Sequence, residues 1–146
     1  MTAVAVHKAP ARQQRTRPVM PATAVGQLEH PAQAAGMFGR HILLTHHALF
    51  GHVIEAGDVI SVDFDARRIT CDSDYLIAFY YGQRHQWFGV RRFHHRLDGS
   101  LEIADPHGLD ALQWGKCTPE ILNSITVFGR VLEVFKPVGK TRCRHG

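Results

Sequence analysis

Across residues 57–136 the apolar side chains recur with a period of two, and each run is closed by turn residues, a pattern that short strands satisfy and helices do not. In Val59-Ile60-Ser61-Val62-Asp63-Phe64-Asp65, Ile60, Val62 and Phe64 fall on one face and Ser61, Asp63 and Asp65 on the other, as in a half-buried strand. Residues 75–81 form a second run, dense in aromatic and β-branched side chains and closed by Gly82-Gln83. Residues 87–93 form a third. Asp98-Gly99 is a hairpin signal that joins it to Leu101-Glu102-Ile103. A loop containing Pro106, Gly108, Gly115 and Pro119 is expected next, then a last strand over residues 125–135 that ends at Pro137. Upstream, a short element at 41–47 leads into Gly51. The expected fold class is mainly β.

The 146 residues amount to one domain, and a hydrophobic content of 45% supplies a core without disulfide or metal support. Residues 1–39 are rich in Ala, Pro, Gln, Arg and Thr. Pro10, Pro18, Pro21 and Pro31 interrupt any helical period there, so these residues read as a mostly disordered basic arm. The expected organisation is therefore an arm at 1–39, a β domain at 40–136 and a basic tail at 137–146. Cys71, Cys117 and Cys143 are odd in number and irregular in spacing, which indicates neither a disulfide framework nor a zinc ribbon and suits a reducing, cytoplasmic setting. No apolar run reaches the roughly 20 residues that span a bilayer. The N-terminus lacks a secretory signal, although an Arg-containing, acid-free start is also the composition of an organellar transit peptide.

Charge is unevenly spread. Lys8, Arg12, Arg15 and Arg17 are met by no acid before residue 29, and Lys136, Lys140, Arg142 and Arg144 by none after residue 135. All 13 acidic side chains lie between. Basic ends on an acidic body attract phosphate irrespective of sequence, so Lys8, Arg12, Arg15, Arg17, Lys140, Arg142 and Arg144 are candidate nucleic-acid contacts. The plainer account is that they solvate the termini.

Three segments, in order, carry a family resemblance: Gly57-Asp58-Val59-Ile60-Ser61-Val62-Asp63, Gly89-Val90-Arg91-Arg92-Phe93 and Val127-Phe128-Gly129-Arg130-Val131-Leu132-Glu133-Val134. Together with the Asp98-Gly99 hairpin they resemble the C-terminal peptidase domain of LexA-type repressors and UmuD-type proteins over residues 46–136. The resemblance implies that family's fold of short strands and hairpins. It also implies a Ser-Lys dyad, in which a buried neutral lysine takes the serine's proton during attack on a peptide carbonyl. At the family's spacing the nucleophile position falls on Ala48 and the lysine position on Arg91. A methyl group does not attack a carbonyl, and a guanidinium with a pKa above about 12 does not act as a base.

No small shift of register repairs this, because Ser61, Ser73, Ser100 and Ser124 all lie beyond Gly57-Asp58, and no lysine lies near Arg91. Thr45 beside His46 or His47 is the remaining nucleophile-base pairing. Ala35-Gly36 matches the small-residue bond that the family cleaves in itself, at a spacing from Ala48 that is too short. The helix-turn-helix that precedes the domain in LexA-type repressors is absent, so the chain is not expected to read DNA sequence alone. A fold kept without its dyad points to subunit association, which the family conducts through its C-terminal strands; the candidate partner-binding residues are Ile125, Val127, Phe128, Val131 and Val134.

The eleven histidines include His46-His47 and His94-His95, with His41, His52 and His85 nearby, but neighbours on a strand point to opposite faces and no HxH or HExxH pattern occurs. No metal and no cofactor is expected, and no glycine-rich phosphate loop is present. Titration of histidines near neutral pH is a softer expectation. Tyr75, Phe79, Tyr80, Tyr81, Trp87 and Phe88 beside Arg84, Arg91, Arg92 and Arg96 suit either a hairpin core or a single-strand nucleic-acid surface. Arg91 is expected to pair with Asp63 or Asp65 and fix the former cleft. The leading expectation is a non-catalytic dimerisation or partner-binding module in transcriptional or DNA-damage regulation of the phage or SOS type. Its partner would be a second copy or a LexA-type repressor. The alternatives are a UmuD-like accessory subunit of a translesion polymerase, an unconventional autopeptidase using Thr45, and non-specific nucleic-acid binding by the basic ends.

Overall fold

The computed structural model describes residues 26–27, 31–81, 85–108 and 111–138. They form one mainly β structure of eight strands and two short helices. In chain order these are β1 (Gly26–Gln27), α1 (Pro31–Ala35), β2 (Arg40–Leu44), β3 (Val59–Asp63), β4 (Ser73–Tyr81), β5 (His85–His95), β6 (Leu101–His107), β7 (Ala111–Lys116), α2 (Pro119–Asn123) and β8 (Ile125–Phe135). The strands make a single sheet ordered β1-β2-β3-β8-β4-β5-β6-β7. All neighbours are antiparallel except β1, which runs parallel to β2.

The last of the described strands thus sits in the middle of the sheet, between β3 and β4. It bulges toward both neighbours: Phe128 is the extra residue between the Leu76–Gly129 and Ile77–Val127 pairs, and Leu132 between Ser61–Glu133 and Val62–Val131. Paired bulges bend a strand and raise its twist. Gly129 lies in the bend, where a Cβ would stand 2.6 Å from the Asp63 carbonyl oxygen, so the close approach of β8 to β3 requires the missing side chain.

Because the sheet curls, β4 is buried on both faces. Leu76 and Ala78 join Ile60, Val62, Phe64, Phe88, Val90 and Phe128 in one cluster, while Tyr75 and Ile77 join Phe93, Ile103, Cys117 and Ile125 in the other. This explains why residues 75–81 read as a continuous apolar run rather than an alternating one. Fourteen-residue segment 45–58 caps the first cluster with Leu49, Phe50 and Ile54, and α2 packs Ile121 on the second.

The expected strands at 59–65, 75–81, 87–93, 101–103 and 125–135 are present, as β3, β4, β5, β6 and β8. Three expectations change. The arm at 1–39 is not separate from the domain over its described part, since β1 pairs with β2 and α1 buries Ala34 completely in the core. Pro31 starts α1, where its missing N–H is harmless. The Gly39 carbonyl then accepts from Phe64 N at 2.8 Å, its N–H donates to Asp65 Oδ1 at 3.0 Å, and Arg67 Nη2 donates to the Met37 carbonyl at 2.6 Å. Residues 111–116 form a strand where a loop was expected. Pro106 does not break β6, because pairing with β5 stops at Ala104 and leaves Pro106 facing β7 alone. Finally, α2 follows the same loop, with Thr118 Oγ1 accepting from Ile121 N at 3.3 Å as its N-cap.

Candidate functional site

Segment 45–58 is a closed turn whose ends are tied together. Thr45 N donates to the Asp58 carbonyl at 2.9 Å and Gly57 N to the Thr45 carbonyl at 2.8 Å, with Gly57 at φ 88° where L side chains are strained. Within it, Leu49 N and Phe50 N both reach the Ile54 carbonyl, at 3.0 and 3.2 Å. The Asp58 carboxylate is buried, accepts from Glu55 N at 2.8 Å, and is paired with the Lys136 ammonium. That ammonium also donates to the Val53 carbonyl at 3.1 Å. Lys136 thus staples the end of β8 to the turn.

The turn docks on the stretch of β5 that β6 leaves unpaired. Val90 N donates to the Leu49 carbonyl at 2.8 Å, and Arg91 Nη1 lies 3.5 Å from the same oxygen. Arg91 and Val90 thus both reach the Leu49 carbonyl, one residue beyond Ala48 in the chain. Ala48 is exposed. The Arg91 side chain is 11% exposed and its guanidinium is held from several sides: Nε donates to Asp105 Oδ1 at 2.5 Å and Nη1 to the Val90 carbonyl at 2.7 Å. It also stands 5.8 Å from the ring centroids of Phe50 and Phe79. Its carboxylate partner is Asp105 rather than Asp63 or Asp65. Those two are engaged elsewhere, Asp65 with Gly39 N and Asp63 with Asp65 N. The arrangement offers a fixed cation and no nucleophile.

Thr45 does not supply one from this geometry. Its hydroxyl is buried, 2.8 Å from the Glu55 carbonyl and 2.9 Å from that of Asp58, so its proton goes to one or other backbone oxygen. His46 and His47 are exposed and make no bond to it. Ala35-Gly36 spans the end of α1, exposed, with the Ala35 carbonyl 3.4 Å from Arg67 Nη2.

The candidate partner-binding residues take core positions. Ile125, Phe128 and Val131 are buried, Val127 and Val134 pack against the two clusters, and both backbone edges of β8 are used by β3 and β4. In this fold both edges of β8 are paired, while Val127 and Val134 keep part of their surface exposed. Lys8, Arg12, Arg15, Arg17, Lys140, Arg142 and Arg144 lie outside the described residues. Among the described residues no helix is long and apolar enough to cross a membrane, and no three His, Cys, Asp or Glu side chains group as metal ligands.

Two clusters were not visible in the sequence. His94 and His95 both reach Asp72, with Nδ1 atoms 2.7 and 3.1 Å from its two oxygens, and His95 N donates to it at 2.7 Å. Adjacent histidines converge here because His95 is the last residue of β5, where the alternation of the pleat ends. The His95 backbone N–H, then its ring, hold the Asp72 carboxyl below its ordinary value. A depressed carboxyl stabilises the fold above its unfolded pKa of about 3.9, and that contribution is lost as pH falls through the folded value. The stability gap between wild type and Asp72→Asn, followed by denaturant unfolding, is expected to close as pH drops below about 4. A gap independent of pH would contradict the assignment.

The second cluster is Cys71, Tyr75 and Arg130. Cys71 Sγ lies 3.5 Å from the Tyr75 hydroxyl and 3.2 Å from Arg130 Nη1. Hydrogen bonding from Tyr75, then from Arg130, lowers the thiol pKa, whereas burial first, and the charge of Asp105 second, raises that of Cys117. At neutral pH the thiolate fraction sets reactivity. Iodoacetamide labelling with peptide mapping is expected to modify Cys71 well before Cys117, and Arg130→Gln to slow Cys71 several-fold; equal rates at the two sites would refute this.

Comparison with protein-family models, with curated proteins and with solved structures returns no match.

Proposed function

We propose that the chain is a LexA-type peptidase-like domain that has lost its catalysis and works by binding another protein chain, as a dimerisation or partner-binding module in transcriptional or DNA-damage regulation. The observation that supports this reading is the guanidinium of Arg91, at the position expected for the base, bonded to the carbonyl of Leu49, the residue after Ala48. The position expected for the nucleophile is an exposed alanine, Ala48. The guanidinium is already committed to Asp105 and two backbone oxygens. Acyl transfer needs a hydroxyl or thiol with a titratable base beside it, and neither is there. The core around the cleft is nonetheless complete, from Phe50 and Ile54 to Val90 and Phe128. A fold maintained without chemistry at its cleft is maintained for its surface.

The test has two arms. Full-length protein incubated at raised pH is expected to keep its intact mass, and its addition to LexA-type repressors bound to operator DNA is expected to change operator occupancy. A discrete shorter product overturns the loss of catalysis. A protein that stays monomeric and leaves every repressor of a panel unaffected overturns the binding role.

A further inference from the structure

The sheet has two ends. At one, β1 is only two residues long and cannot template a further strand. At the other, β7 runs for six residues with β6 as its single neighbour, and five of the six are exposed. Among the described residues nothing pairs with its outer backbone groups. Natural edges are usually blunted by proline, bulges or charges. Within β7 there is no proline, its register against β6 is unbroken, and Lys116 at its end is the one charge. Trp114 stands in the strand with 44% of its surface exposed, in edge-to-face contact with His94.

We infer that the outer edge of β7 is an interaction surface, and that its occupant is a second copy of this chain, added antiparallel about a two-fold axis at Gln113. This rests on the reading of the domain as an association module. The strand is complementary to itself in that register. Leu112 of each copy falls opposite Trp114 of the other on one face, so an apolar residue covers an apolar residue twice. On the other face Gln113 meets Gln113, and Ala111 meets Gly115. Within the paired stretch 111–115 there is no charged side chain, and the two Lys116 residues lie at opposite ends, about 20 Å apart at the strand rise of about 3.4 Å per residue. A register with the axis at Trp114 instead sets Leu112 against Lys116 on that face and forgoes both Leu–Trp pairs. The contact is small, so the dimer dissociates on dilution.

Charge exchange at the axis tests both the surface and its occupant. Gln113 is exposed, so Gln113→Glu and Gln113→Lys are expected to keep the wild-type circular dichroism and unfolding midpoint. In sedimentation velocity the full-length wild type is expected to move from monomer to dimer with concentration. Each variant alone weakens association several-fold, because like charges then face each other, and an equimolar mixture of the two restores it. A wild type that is monomeric throughout overturns the proposal. A wild-type dimer that neither variant weakens, or variants that the mixture does not rescue, place the contact elsewhere and overturn it too. Repressor binding by a protein monomeric throughout leaves the association reading of the previous subsection standing while this inference fails.

Discussion

Phe50→Ala is expected to lower the unfolding free energy by about 3–5 kcal/mol, the range for removing a large buried aromatic side chain. Phe50 is fully buried, and three parts of the structure depend on it. Its backbone closes the 45–58 turn on Ile54, and its ring fills the first core cluster. The same ring lies 5.8 Å beneath the Arg91 guanidinium and 5.7 Å beneath that of Arg92, whose own charge is fixed by Asp74 at 2.7 Å. Alanine leaves a cavity under two cations that the surrounding turn cannot close without giving up the Leu49–Val90 bond. Denaturant unfolding checks the figure, and Phe50→Leu is expected to lose much less because it refills most of the volume. A loss below about 1 kcal/mol would mean that the turn packs loosely on β5.

Gly129→Ala is expected to cost about 3 kcal/mol, at the upper end for overpacking, although it adds one methyl group. The obstacle is backbone rather than a movable side chain: the new Cβ would stand 2.6 Å from the Asp63 carbonyl oxygen and 2.8 Å from Val62 Cγ1. Relief requires β8 to move away from β3, which gives up the Asp63–Arg130 and Val62–Val131 pairs. Gly115→Ala is the matched control, a strand glycine with no atom within 4 Å of the added carbon, and is expected to change stability by no more than about 0.5 kcal/mol. Equal effects at the two sites would show that the β3–β8 approach tolerates a side chain.

The strands that the sequence discloses are those whose side chains sample two environments. In β3 the alternation of Ile60 and Val62 with Ser61 and Asp63 is the alternation of core and surface. β7 hides because most of its side chains meet only solvent, so no apolar period marks it, and because Pro106 and Gly115 stop a strand only where both edges are in use. The helices α1 and α2 have five residues each, fewer than two turns, too few for a helical period to show. At the site, Arg91 and the strand that carries it are legible in the sequence. The partner of Arg91 is not, because Asp105 reaches it only after β6 is laid beside β5. The same holds for Lys136 on Asp58 and Arg130 on Cys71, each joined across more than fifty residues. The place of β8 is the largest thing hidden. Its apolar residues read as a contact surface for another chain, and the chain they contact is their own.

That placement also fixes an order of events. β2 with β3, and β4 with β5, β6 and β7, are each joined to their neighbours by local hairpins, but nothing in the sheet joins the two groups except β8. Until residues 125–135 are available the protein is two partial sheets, with Ile60, Val62, Leu76 and Ala78 lacking the strand that covers them. A ribosome releases those residues after the other described strands. Completion of the sheet therefore waits for residues 125–135, and the β3–β8 pairing, more than sixty residues apart in sequence, is of the slow kind. In that interval β3 and β4 each present an unmatched edge, and the nascent protein is then most open to capture by a foreign strand.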